Sequence, residues 1–382
     1  MRTTIFGLTL LFALMISACS HKPVTVAKAL PAYQQTDFQH YIQDTQQWLW
    51  ANRRFHTADH AHEVQINSPF ELIPNKPNGK AALLIHGLSD SPFSFVDVAQ
   101  HLVEQGFLVR TVLLSGHGSK AEDLMLPELA DWRALVKHHT ALLSQSHDQV
   151  WLGGYSTGAN LATIEASENP KVSGLLLFSP AFEPQNPFVP LSPFLRHLMT
   201  WADQDQEDNI AKYESLPMQA VAVYQQSAQL ARERLATQAL TVPVFMAVAE
   251  ADSVIDPDTA LKLFETGFTH PYKQLIWFGE KPLESANIQV LSMRLPDQQI
   301  STGSHMSALY REDNPHYGRM GKQRICNNGQ EAEQEQTCRS GAAVWYSAWG
   351  YQEAGKVHAR LSWNPYFTDT MQRMEQVLEV AP

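Results

Sequence analysis

One stretch of this chain leaves its backbone little choice. Gly154-Tyr155-Ser156-Thr157-Gly158 follows an apolar run, Gln149-Val150-Trp151-Leu152-Gly153, and precedes a run of small residues from Ala159 to Ile164. That order predicts a strand, a sharp turn and a helix, with the serine at the turn. A residue in such a turn is held in strained backbone geometry. Side chains two residues to either side must then be nearly absent, which is what the two glycines provide.

The same alternation continues on both sides. Ala81–Ile85 is a continuous apolar run, as expected of a central parallel strand. A helix over Phe93–Glu104 stops at Gly106. A strand over Phe107–Leu114 and a helix over Trp132–Leu143 come next, and beyond the serine turn a strand over Val172–Phe178. After a break, the pattern resumes with strand Val242–Ala249, helix Asp258–Thr266 and strand Lys273–Phe278, and a helix over Phe367–Val380 ends the chain. Upstream, Phe38, Tyr41, Ile42, Thr45 and Leu49 share one face of a helix over Asp37–Trp50. Residues from Val64 to Ile73 read as one or two edge strands ending at Pro74. The expected fold is α/β, a mostly parallel central sheet with helices on both faces. The break at 181–240 is Pro-rich at first, carries the acidic run Asp203–Asp208 and turns helical over Gln225–Ala239. It reads as a cap or lid inserted over the C-terminal edge of the sheet, where ligands bind in such folds. Residues 279–300 read as a further insertion or hairpin.

With 382 residues, 44% of them hydrophobic, the chain is long enough for one large domain with insertions. Its net charge of −11, with no basic block, argues against a nucleic-acid partner. It has no Gly-x-Gly-x-x-Gly turn and no P-loop, so no cofactor is expected. No metal is expected either: His56, His60 and His62 lack a metal-binding spacing with a carboxylate and read as solvated surface.

A nucleophilic serine needs a base, an acid to orient the base, and donors for the developing oxyanion. Ile85-His86-Gly87-Leu88, at the end of the first central strand, offers a backbone donor. Asp252 follows the strand after the break, with Glu250 as a rival. Asp256, ahead of Pro257, reads as a helix N-cap. Gly303-Ser304-His305-Met306 offers a base, with His316 of Asn314-Pro315-His316-Tyr317-Gly318 as a rival. Across residues 80–310 these segments resemble the α/β-hydrolase superfamily, and most closely its carboxylesterase and monoacylglycerol-lipase-like branch, which is grouped with the serine aminopeptidases. Ser115-Gly116-His117-Gly118 is similar to that branch's Gly-His-Gly loop. The resemblance implies Ser156 as nucleophile, Asp252 as acid and His305 as base, in that chain order. It implies the N–H groups of Leu88 and Thr157 as the oxyanion hole, and a bracing role for His86. The activity it implies is hydrolysis of a small-molecule or lipid carboxylic ester through an acyl-enzyme. A thioesterase, peptidase or acyltransferase on the same triad is the alternative, as is a non-catalytic envelope lipoprotein on a hydrolase fold. Within the cap, Phe182, Phe188, Leu191, Phe194, Leu195, Leu198, Met199 and Trp201 are expected to line an acyl pocket.

The N-terminus reads as targeting rather than structure. Arg2 precedes an apolar segment, Ile5–Ile16, too short to span a bilayer. Ile16-Ser17-Ala18-Cys19 then resembles a bacterial lipoprotein signal. The resemblance implies cleavage before Cys19 and a lipid anchor on its sulfur, and Ser20 in place of Asp implies the outer membrane, facing the periplasm. The expected organisation is a signal at 1–18, a tether at 19–35, and the hydrolase domain at 36–382 with a C-terminal extension. The two remaining cysteines, Cys326 and Cys338, form an even pair in an oxidising compartment and read as one disulfide.

Overall fold

The computed structural model describes residues 24–379. The expected signal and Cys19 lie outside the described residues. In chain order the helices are α1 (Phe38–Asn52), α2 (His60–Asn67), α3 (Val96–Glu104), α4 (Leu129–Leu143), α5 (Thr157–Glu168), α6 (Ser192–Leu195), α7 (Met218–Thr237), α8 (Pro257–Thr266), α9 (Ala332–Arg339) and α10 (Phe367–Glu379). The strands are β1 (Glu71–Leu72), β2 (Lys80–Ile85), β3 (Leu108–Val112), β4 (Gln149–Tyr155), β5 (Val172–Phe178), β6 (Trp201–Asp203), β7 (Leu216–Pro217), β8 (Val244–Ala249), β9 (Lys273–Phe278), β10 (Ile288–Leu291), β11 (Trp345–Ser347) and β12 (His358–Arg360).

Eight strands form the central sheet in the order β1-β3-β2-β4-β5-β8-β9-β10. All pairings are parallel except the short edge strand β1, which runs antiparallel to β3. Successive side chains of a strand point to opposite faces, so apolar strands of this kind need cover on both. Leu83, Ile85, Leu152, Leu175 and Met246 pack on one side, with Trp132, Leu161, Val223 and Leu261 from the helices α4, α5, α7 and α8. Leu84, Trp151, Leu176, Phe245 and Ile276 pack on the other, with Val98 and Leu102 of α3 and Met371, Met374 and Val377 of α10. The fold is that of an α/β hydrolase.

Three expectations are corrected. Val64–Ile66 is part of α2, not a strand. Glu63 of that helix is buried, is paired with Arg53 at 2.8 Å, and accepts the N–H groups of His56 and Thr57. This anchor fixes the segment as a helix, and only Glu71–Leu72 remains as edge strand. Residues 279–300 are no hairpin: Ile288–Leu291 is β10, parallel to β9, and extends the sheet by one strand. It covers a backbone edge that β9 would otherwise leave open. Within the expected tether, Ala27 is buried and its N–H donates to Asp123 Oδ1 at 2.6 Å, so the described part of that segment lies against the domain.

The cap spans β6, β7, α6 and α7, and α7 packs against α5. The C-terminal extension carries α9, the parallel pair β11–β12 and the Cys326–Cys338 disulfide. Tyr310, Tyr317, Leu361 and Trp363 join it to the side of the core that holds α3 and α10.

Candidate active site

The serine turn is as tight as the glycines predict. Ser156 has φ 55° and ψ −118°, between β4 and α5, a conformation that costs free energy and is held by its surroundings. A Cβ on Gly154 would come within 2.4 Å of Ala159 Cα, and one on Gly158 within 2.0 Å of the Ile85 carbonyl oxygen. Any larger residue at these positions pushes β4, α5 and β2 apart. The result is a serine raised above the C-terminal end of the sheet, 7% exposed, at the N-terminus of α5.

Asp252 and His305 meet across 53 residues. Asp252 Oδ2 lies 2.6 Å from His305 Nδ1, and Oδ1 accepts the N–H groups of Val254 at 2.8 Å and Ile255 at 3.1 Å. Both carboxylate oxygens are thereby engaged, which aims the buried carboxylate at the imidazole. The His305 carbonyl accepts from Ser179 Oγ at 2.9 Å, which anchors its backbone, and the Tyr155 ring lies 5.1 Å from the imidazole. Ser156 and His305 open into one cavity of about 190 Å³.

The rivals stand elsewhere. His316 packs edge-on against Phe93 and Tyr317, and burial pulls its pKa down to about 4. It does not line the cavity. Glu250 turns away to accept the N–H of Lys281 at 2.9 Å and the indole N–H of Trp277 at 3.2 Å. Asp256 caps α8 through the Asp258 N–H, with Pro257 in the first turn.

Leu88 and Thr157 also line the cavity. Thr157 opens α5, where backbone N–H groups have no intrahelical acceptor and the helix dipole favours negative charge. Among the described residues, neither the Leu88 nor the Thr157 N–H donates to a backbone carbonyl in a turn or loop. Two neutral histidines brace the Leu88 loop. His86 Nε2 accepts the Leu114 N–H at 3.0 Å, so its proton sits on Nδ1, which donates to the Gly87 carbonyl at 2.8 Å. His117 repeats the pattern: Nε2 accepts the Ser89 N–H at 3.1 Å and Nδ1 donates to the Leu114 carbonyl at 3.1 Å. Burial lowers both pKa values, that of His86 to about 4.

The cap does not supply the lining expected of it. Phe182 is in the core, while Phe188 is 70% and Leu198 68% exposed, and Leu191, Phe194 and Met199 are exposed with them. The roof comes instead from Leu216 and Tyr224 of the cap, with Val254 and Met306 beside them. The short α6 segment packs on α7, and none of its residues lines the cavity. Sequence reasoning also missed Asp90, Tyr155, Lys212 and Arg360, all of which line the cavity. No local pattern marks Arg360, which lies 204 residues beyond Ser156. A larger open groove of about 930 Å³ lies along α3 and α10, and no member of the serine site lines it.

Comparison with known proteins agrees with this fold. Residues 76–215 match the family described as serine aminopeptidase, S33. The chain is 23% identical over 207 residues to the thermostable monoacylglycerol lipase of Bacillus sp. (strain H-257), covering 53% of this chain and 81% of that protein. A solved structure from a study of the metagenome-derived lipolytic enzymes LipS and LipT superposes with a TM-score of 0.50 at 21% identity, covering 55% of this chain and 86% of that one. The structural likeness carries the fold, and nearly half of this chain lies outside it.

Proposed function

We propose that this chain, a lipase/esterase-like member of the α/β-hydrolase superfamily, cleaves carboxylic esters through a Ser156–Asp252–His305 triad. The observation that carries the reading is the 2.6 Å contact between Asp252 and His305 Nδ1 in the cavity that holds the strained Ser156. With Nδ1 donating to the carboxylate, the other nitrogen of His305 is the acceptor, the tautomer a general base needs.

The steps follow. His305 Nε2 takes the Ser156 hydroxyl proton as Oγ bonds to the acyl carbon. The Leu88 and Thr157 N–H groups hold the oxyanion, each contributing about 3 kcal/mol to the transition state. The C–O bond to the alcohol breaks, and the alcohol leaves with the proton from His305. Water, deprotonated by the same imidazole, then releases the acid and returns Ser156. The cavity of about 190 Å³ supports small acyl groups, because sites for drug-sized ligands begin near ~300 Å³.

The proposal extends to location: the Cys19 segment supports a lipid-anchored protein of the bacterial envelope. Alkyne-palmitate labelling of the full chain, lost in Cys19→Ala, is the expected result, and equal labelling removes the anchor. For the activity, wild type and Ser156→Ala are compared on p-nitrophenyl esters and with a fluorophosphonate probe. Equal turnover, or no label on Ser156 of wild type, overturns the reading.

A further inference from the structure

The cavity over Ser156 holds more charge than a neutral ester requires. Arg360, the last residue of β12, lines it together with Lys212 and Asp90. Their partners differ. Lys212 Nζ is 3.0 Å from Glu214 Oε2. Asp90 accepts the Ser91 N–H at 2.9 Å, and burial raises its pKa to about 6. Among the described residues Arg360 has only neutral acceptors: Nε donates to Asn328 Oδ1 at 2.7 Å and an Nη donates to the Asn327 carbonyl at 3.2 Å. The carboxylates that act on it from farther away, Glu214 and Asp252, are committed to Lys212 and His305.

The C-terminal extension holds this guanidinium in place. Its backbone N–H donates to Ile325, and β12 is paired with β11. Asn328, its side-chain anchor, is itself bonded to Ser347 Oγ and the Ala348 carbonyl. The Cys326–Cys338 bridge ties the same segment. A largely desolvated guanidinium with no carboxylate in direct contact is costly, and a carboxylate or phosphate matches its planar fork with two parallel hydrogen bonds.

We propose that the substrate is an ester carrying an anionic group, a carboxylate or phosphate, which Arg360 binds beside Ser156. This rests on the reading of Ser156 as the nucleophile. It assigns the C-terminal extension a role in substrate selection.

Two matched pairs of esters test it on the full chain. The carboxylate pair is mono-p-nitrophenyl glutarate against p-nitrophenyl valerate. The phosphate pair is 1-butyrylglycerol 3-phosphate against 1-butyrylglycerol. Wild type is expected to favour the anionic member of one pair by about tenfold or more in kcat/KM, and that pair identifies the group. Arg360→Gln is expected to cut this ratio by about tenfold, and Arg360→Lys by less, since it keeps the charge without the fork. A wild-type ratio below about twofold in both pairs overturns the proposal whatever the variants do, because a guanidinium that binds the anionic group must discriminate charge. A ratio unaltered in a folded Arg360→Gln also overturns it. Turnover of neutral esters without preference leaves Ser156 chemistry standing and removes only the anionic specificity. No turnover and no phosphonate label on Ser156 removes both.

Discussion

His117 accepts the Ser89 N–H at 3.1 Å, one residue beyond Leu88, which lines the serine cavity. The imidazole is therefore a strut for the Leu88 loop. Without it the half-buried Ser89 N–H loses its acceptor, a cost of about 1 kcal/mol. His117→Ala is expected to lower kcat on p-nitrophenyl butyrate by about tenfold to a hundredfold, within the range for displaced oxyanion donors. Ser156 should still react with a fluorophosphonate. An unaltered kcat would show that the loop keeps its shape without the strut.

The two candidate bases separate cleanly by substitution. His305→Ala is expected to lower kcat by at least about 10³-fold, and Asp252→Asn by a comparable factor through the wrong imidazole tautomer. His316→Ala is expected to act mainly on the unfolding midpoint, since its ring packs on Phe93 and Tyr317 outside the cavity. Steady-state kinetics and thermal melts on the three variants decide. A larger kcat loss in His316→Ala than in His305→Ala reverses the assignment.

Acidification should destabilise the fold. His86 and His316 titrate at about 4 and His139 at about 3, chiefly because of burial, and His117 is also held low. In the unfolded chain each titrates near 6.5. As pH falls below 6.5 the unfolded state takes up protons that the folded state refuses, so stability declines down to about pH 4. Asp90 opposes this: its folded pKa of about 6 lies above the ordinary 3.8, so it favours the folded state as pH falls through that interval. Burial also holds His56, His101 and His358 low and raises Asp97 and Glu165, so among the described residues seven lowered histidines stand against three raised carboxylates and set the net sign. Thermal midpoints should drop steadily from pH 6.5 to 4.5, and a flat profile would contradict the buried neutral assignments.

The disulfide links stability to selectivity. Closing a loop of sequence separation 12 contributes about 3 kcal/mol in the chain-entropy model. Replacing Cys326 and Cys338 by Ser is expected to lower the unfolding free energy by about that amount. It should also reduce discrimination between anionic and neutral esters, because Asn327 and Asn328 follow Cys326 directly. Urea titration and the matched ester pairs measure the two effects.

Gly158→Ala is expected to abolish stable folding or shift the unfolding free energy by more than about 3 kcal/mol, as its Cβ would sit 2.0 Å from the Ile85 carbonyl oxygen. A soluble, fully active variant would mean that α5 can slide along the sheet.

Most of the fold was legible locally. The apolar runs at Ala81–Ile85, Val172–Phe178 and Lys273–Phe278 are strands because side chains buried on both faces of a sheet must all be apolar. Gly154 follows from contacts within one strand-turn-helix unit, whereas Gly158 is also required by the neighbouring strand β2, through the Ile85 carbonyl. Segments whose state depends on a distant partner were not legible. Val64–Ile66 has β-branched residues suited to a strand, yet the buried Arg53–Glu63 pair makes it a helix. The apolar residues of the cap gave no sign of which would face water.

By itself, then, the sequence determined the strained serine, the parallel sheet around it, the order of acid and histidine, and a cysteine pair. Each rests on short-range sterics, on apolar periodicity or on chain order. Only the tertiary structure decided which histidine meets Asp252, what roofs the cavity, and that Arg360, 204 residues beyond the serine, lines the same cavity. Those outcomes depend on packing between elements tens to hundreds of residues apart, where burial, and the need of each buried charge for a partner, select one arrangement that no local pattern encodes.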